Sequence, residues 1–187
     1  MNWLRRIVLK TLYPILRLIG KIRFAPKKRR LWGQEMYLMP LINKGDIILV
    51  KARGELTNSL IGGKYKHTLI FCGDGYIEAV DPCVRKVTFK HILDHYDEIC
   101  ICRAEFLVKS EIERMIAFAE KQVGKPYDYM FEPNMKAFYC SELATAAIVH
   151  AMPYSNTWSQ RDIFGVKTTM PDDFRQATDK FRVVIER

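Results

Sequence analysis

The chain predicts an α+β fold, and three observations carry that expectation. Five short β-type segments, 46–52, 67–72, 76–80, 84–89 and 98–104, follow one another in a single block. Helical periodicity falls outside that block, at 110–123, from about residue 140 and at 171–177. The tight links between strands favour antiparallel pairing, so an antiparallel sheet or partial barrel packed against helices is expected.

Taken in order, residues 1–30 come first, with ten basic side chains and no acidic one. The net charge of +9 in this 187-residue chain therefore belongs to its leader, and the remainder is close to neutral. At about 100° per residue, Arg6, Lys10, Arg17 and Lys21 share one stripe, while Leu4, Ile7, Val8, Leu12, Ile15, Leu18, Ile19 and Ile22 form a broad apolar face. This predicts a basic amphipathic helix, kinked or divided at Pro14. Such a helix suits a peripheral anchor on an anionic membrane surface. Lys10, Arg17 and Lys21 interrupt any apolar run of about 20 residues, which argues against a spanning helix, and no small-residue cleavage site follows to mark an export signal. A helix packed on its own domain is the plainer alternative. Nucleic acid ranks last as a partner, because an apolar face adds nothing to a grip on phosphates.

From residue 31 onward no repeat, low-complexity tract or Pro/Gly linker divides the sequence, so one domain over 31–187 is expected. Asn43-Lys-Gly-Asp announces the first strand, and 53–66 reads as a loop or short helix. Gly73-Asp-Gly is a tight turn between the strands at 67–72 and 76–80. Ser110 reads as the cap of a helix with Glu113 three residues on, and Ile112, Met115, Ile116, Ala119 and Val123 recur until Gly124 stops it ahead of Pro126. A second helix begins near Cys140. Pro171 to Ala177 reads as a short helix and Phe181 to Ile185 as a last strand.

Two of these elements carry chemistry. Cys140 sits where a helix begins, beside unpaired N–H groups and the positive end of the dipole, both of which favour thiolate. His67 opens an apolar strand, and an imidazole brought near the thiol would complete a nucleophile and base pair. Each has a plain reading as well: a Cys entering an apolar helix is commonly a small core residue. Glu142, one turn into the helix, reads as a capping residue, and Lys64 and Lys66 read as exposed charges.

In order along the chain, Gly45-Asp-Ile-Ile-Leu-Val, Lys66-His-Thr-Leu-Ile-Phe-Cys-Gly-Asp-Gly-Tyr-Ile-Glu-Ala, Gly124-Lys-Pro-Tyr-Asp-Tyr, Tyr139-Cys-Ser-Glu-Leu and Pro171-Asp-Asp-Phe resemble the circularly permuted papain-like amidases of the NlpC superfamily, the YiiX-like group. The resemblance spans about Gly45 to Arg187, and His67 precedes Cys140, the order of the permuted group. It implies a permuted papain-like fold, with Cys140 as nucleophile, His67 as general base and Glu78 as the residue that orients the imidazole. The two strands joined by the tight turn also place His67 and Glu78 as neighbours on one sheet face. Otherwise Glu78 would be a solvated strand residue. Tyr127, and Tyr139 beside the Cys, match positions that could shape an oxyanion or substrate pocket. No cofactor is implied.

Five cysteines make an odd number. Cys72, Cys83, Cys100 and Cys102 read as reduced core residues of a cytosolic or cytosol-facing protein. A zinc site is the sharper alternative, since His91 and His95 lie one helical turn apart and Cys100 and Cys102 share a strand face. The function expected from these residues together is a cysteine-dependent hydrolase or acyltransferase acting on an amide or ester through an acyl-enzyme. Its substrate would be a peptide, a lipid or a lipid-linked group near a membrane, the cytosolic face being the expected place. A noncatalytic membrane-associated binding module with the same pocket is the competing reading.

Overall fold

The computed structural model describes residues 31–51, 63–129, 131, 134–153, 161–163 and 166–187. The basic leader and most of the expected 53–66 loop lie outside the described residues. Within them, β1 (Ile47–Lys51), β2 (His67–Phe71), β3 (Tyr76–Val80), β4 (Cys83–Val87), β5 (Glu98–Ala104) and β8 (Phe181–Glu186) form one six-stranded sheet. Its order is β4-β3-β2-β1-β5-β8, every neighbour is antiparallel, and the sheet is open rather than closed into a barrel. A separate ribbon pairs β6 (Arg161–Ile163) with β7 (Val166–Thr168).

Helices cover both faces of the sheet, which is why the central strands read as continuous apolar runs. Ile47 and Leu49 of β1 point into one core with helices α3 (Lys109–Lys121), α4 (Cys140–Ala151) and α5 (Pro171–Gln176). Ile48 and Val50 point into the other, with α1 (Glu35–Leu38) and α2 (Phe89–His95). All four are fully buried.

Four elements differ from the sequence expectation, one being the β6–β7 pair, where no strand was assigned. The fourth strand ends at Val87, not Phe89, because Thr88 accepts the N–H of His91 and caps a helix whose Phe89, Ile92 and Leu93 recur at helical spacing. The cap of α3 is Val108 rather than Ser110, and the reciprocal carboxylate comes from Glu111, which accepts the Val108 N–H at 2.9 Å. Residues 31–41, to which no element was assigned, form α1 and a following 3₁₀ turn, Met39–Leu41. Gly124 ends the α3 region as expected, with φ of 91° in the left-handed region that favours glycine.

Candidate active site

His67 opens β2, and Glu78 stands diagonally across the β2–β3 pairing, where Leu69 is the direct partner of Glu78. The imidazole Nε2 and the Glu78 carboxylate lie 2.7 Å apart. Glu78 is fully buried, so its charge needs partners on both oxygens. Arg85, directly opposite on β4, supplies the second: its Nε donates to Oε1 at 2.8 Å. Burial alone would raise Glu78, yet its bonds to His67 and Arg85 hold the carboxyl at about 2.

With Nε2 committed to Glu78, Nδ1 is the ring nitrogen left for sulfur, and the Cys140 thiol is near enough to His67 for the two groups to shift each other's titration. Cys140 is the first residue of α4, which packs on the opposite face of the sheet from Glu78. The two groups meet where β2 begins. Burial opposes charge on either partner, but the hydrogen bonds and charges of Cys140 and Glu78 raise His67 to about 10. For Cys140, burial is likewise outweighed by the His67 hydrogen bond and charge and by the backbone N–H groups of Thr68 and Ser141, so the thiol titrates below its ordinary value. The arrangement favours a thiolate–imidazolium pair.

Other contacts fix the two halves of this pair. The Ser141 hydroxyl donates to the Thr169 carbonyl at 2.6 Å, tying the start of α4 to the segment ahead of α5. Glu142 accepts the Tyr139 N–H at 3.3 Å, the capping role its position suggested. Asp173 does the same for α5 by accepting the Met170 N–H at 2.7 Å. Asp172 reaches back across the fold and accepts the backbone N–H groups of Lys64 and Tyr65, just ahead of His67. Tyr96 stacks on the His67 ring at 5.8 Å.

The structure brings His67, Glu78 and Cys140 together. Tyr139 is buried beside Cys140, and burial raises its phenol so that it stays a neutral hydroxyl. Tyr127 bridges to Phe138 and packs against Tyr129 with ring centroids 4.9 Å apart. Sequence reasoning did not find Arg85, though the register of the β3–β4 hairpin sets it opposite Glu78, nor Asp172, whose role needs the tertiary fold. The zinc alternative is corrected. His91 and His95 stack on each other at 4.0 Å over one face of the sheet, whereas Cys100 and Cys102 point into the core on the other.

With this geometry in view, likeness to known proteins becomes informative. The family profile described as permuted papain-like amidase enzyme, YaeF/YiiX, C92 family, matches residues 41–185. The chain belongs to this family. Membership places it among papain-like amidase or peptidase hydrolases. A solved structure of similar fold, metalloprotein yiiX from Escherichia coli O157:H7, has a TM-score of 0.66 over 78% of this chain and 97% of its own, at 20% identity. No curated protein sequence matches the chain. Although that structural neighbour is described as a metalloprotein, among the described residues here no group of three or more His, Cys, Asp or Glu could hold a metal ion. The Glu78 carboxylate is instead engaged by the His67 ring and the Arg85 guanidinium.

One titration beside the site has a measurable consequence. Burial, and to a lesser extent the charge of Asp128, raises the Glu142 carboxyl to about 8, although its bond to Tyr139 lowers it. The folded state thus holds a proton that the unfolded chain releases near 4.5. Stability from this group is complete below that value and is lost as pH rises through 8. Glu142→Gln is expected to flatten the pH dependence of the melting temperature across that window, and an unchanged slope would contradict it.

Proposed function

We propose that this chain is a thiol amidase or peptidase-like hydrolase whose nucleophile, base and orienting group are Cys140, His67 and Glu78. The observation that carries this reading is the single imidazole that pairs with a buried carboxylate at 2.7 Å and stands beside the thiol that begins a helix. The Cys140 thiolate attacks an amide or ester carbonyl carbon, forming a C–S bond while the π electrons move to oxygen. N–H groups at the start of α4 stabilise that oxyanion. Collapse breaks the bond to the amine or alcohol, which leaves with the proton of the His67 imidazolium. His67 then takes a proton from water, the resulting hydroxide attacks the thioester, and the thiolate leaves as the carboxylic acid departs. Glu78 holds the ring and stabilises its charge throughout. An amine or alcohol in place of water would give acyl transfer.

The substrate is proposed to lie at a membrane surface, as a peptide, lipid or lipid-linked amide or ester. Residues 1–30 support this, since their ten positive charges and apolar face suit the headgroup boundary of an anionic bilayer. Among the described residues no helix is long and apolar enough to cross a membrane. Deleting 1–30 is expected to weaken binding to anionic vesicles at least about tenfold, and undiminished co-sedimentation would remove the anchor. The catalytic reading is tested by screening the purified protein against peptide-amide, lipid-amide and ester panels. Turnover with a trapped acyl-enzyme mass adduct on Cys140 is expected, whereas an inert protein with an ordinary thiol pKa would favour a noncatalytic binding module.

A further inference from the structure

The folded domain carries an apolar surface of its own. Five of the eight large hydrophobic side chains exposed among the described residues fall within ten positions: Trp32, Met36, Tyr37, Met39 and Leu41. Met36 is 83% exposed and Tyr37 76%. This segment is not a loose tail. Leu31, Leu38 and Ile42 alternate with the exposed residues and turn inward to the core of Ile48, Val50 and Leu69. Arg103 clamps the segment from β5, donating to the Leu41 carbonyl at 2.7 Å and to both oxygens of the buried Asp46 at 2.8 and 2.7 Å. The result is a fixed wedge with an apolar outer side.

We infer that this wedge docks on an anionic bilayer. Two features of the chain select that occupant. The wedge begins one residue after the basic run Lys27-Lys28-Arg29-Arg30, so apolar insertion and attraction to acidic headgroups act at the same place. Its composition of Trp, Tyr, Met and Leu suits the boundary between headgroups and acyl chains. A second copy of the chain is a poorer occupant, because each copy brings a leader of ten positive charges to the contact.

Docking there also orients the site. His67 and Glu78 alternate in phase with Leu69 and Tyr76, and so project from the sheet face on which α1 packs. The bilayer and the imidazole then lie on the same side of the sheet. This extends the proposed membrane-surface role from the leader to the folded domain, and it rests on that reading of where the enzyme works.

The test uses full-length wild type and full-length Met36→Glu/Tyr37→Glu protein, floated with phosphatidylcholine vesicles and with vesicles carrying about a third phosphatidylglycerol. Wild type is expected to float with the anionic vesicles, and the variant to lose at least about tenfold in affinity. In a Trp3→Phe/Trp158→Phe background, brominated lipid is expected to quench Trp32. Equal flotation of variant and wild type, failure of wild type to float, or unquenched Trp32 would each overturn the wedge. So would a variant that changes only the sedimentation coefficient of the free protein, which would assign the surface to self-association. Labelling of Cys140 in the same samples reports on the cysteine chemistry alone and is expected to be the same in both proteins.

Discussion

Replacing Cys140 with alanine is expected to lower turnover by about ten-thousand-fold or more, because it removes the proposed nucleophile. The same change should abolish labelling by an electrophilic acyl probe at neutral pH. Selectivity of that probe follows from the surroundings of the remaining thiols. Burial pushes Cys72 up to about 12. Cys102 is raised by its bond to Cys100 and by burial, and Cys100 and Cys102 face the closed core together. Cys83 is half-buried on an edge strand, so it is the residue whose background reaction has to be measured. Intact-mass analysis should show one adduct on wild type and none on Cys140→Ala after brief exposure. Equal labelling of both proteins would remove Cys140 as the nucleophile.

Glu78→Gln is expected to cost about a hundred- to ten-thousand-fold in kcat while leaving the fold in place, since glutamine fills the same volume without the charge that stabilises imidazolium. The sign of its pH effect follows from the pair. In wild type the active ion pair forms as pH rises through the depressed value of Cys140 and is lost as pH passes the His67 value of about 10. Without the Glu78 hydrogen bond and charge, His67 falls, and the alkaline limb of the rate profile moves to lower pH. Cys140 in turn loses part of the positive charge that lowers it, so the acid limb moves up and the plateau narrows. There is a stability counterpart. Glu78 is depressed to about 2, so its contribution is present above the unfolded carboxyl value of 4.5 and lost as pH falls toward 2. Superimposable pH–rate profiles for wild type and Glu78→Gln would rule out the orienting role.

Legibility followed the range of the interactions involved. The strands were readable because their apolar runs and the β2–β3 turn are local, and the meeting of His67 with Glu78 needed only one hairpin. The start of α4 at Cys140 was equally local, with Glu142 as its cap. Helix α2 was hidden because β-branched Val84, Val87 and Thr88 run directly into Phe89, and only the Thr88 cap reveals the change. The zinc reading failed for a tertiary reason: shared parity puts Cys100 and Cys102 on one face, but parity does not say which face α2 covers. Asp172 was the least visible. Within the Pro171-Asp-Asp-Phe run its two carboxylates look alike, yet Asp173 caps its own helix while Asp172 accepts N–H groups from residues 64 and 65.

That long tie makes the entry to β2 depend on a distant part of the chain. Asp172 stands 107 positions beyond Tyr65, and from the start of α5 its carboxylate holds the backbone just ahead of His67. Loss of α5 would therefore remove an anchor beside the imidazole even where the β2–β3 hairpin stayed paired.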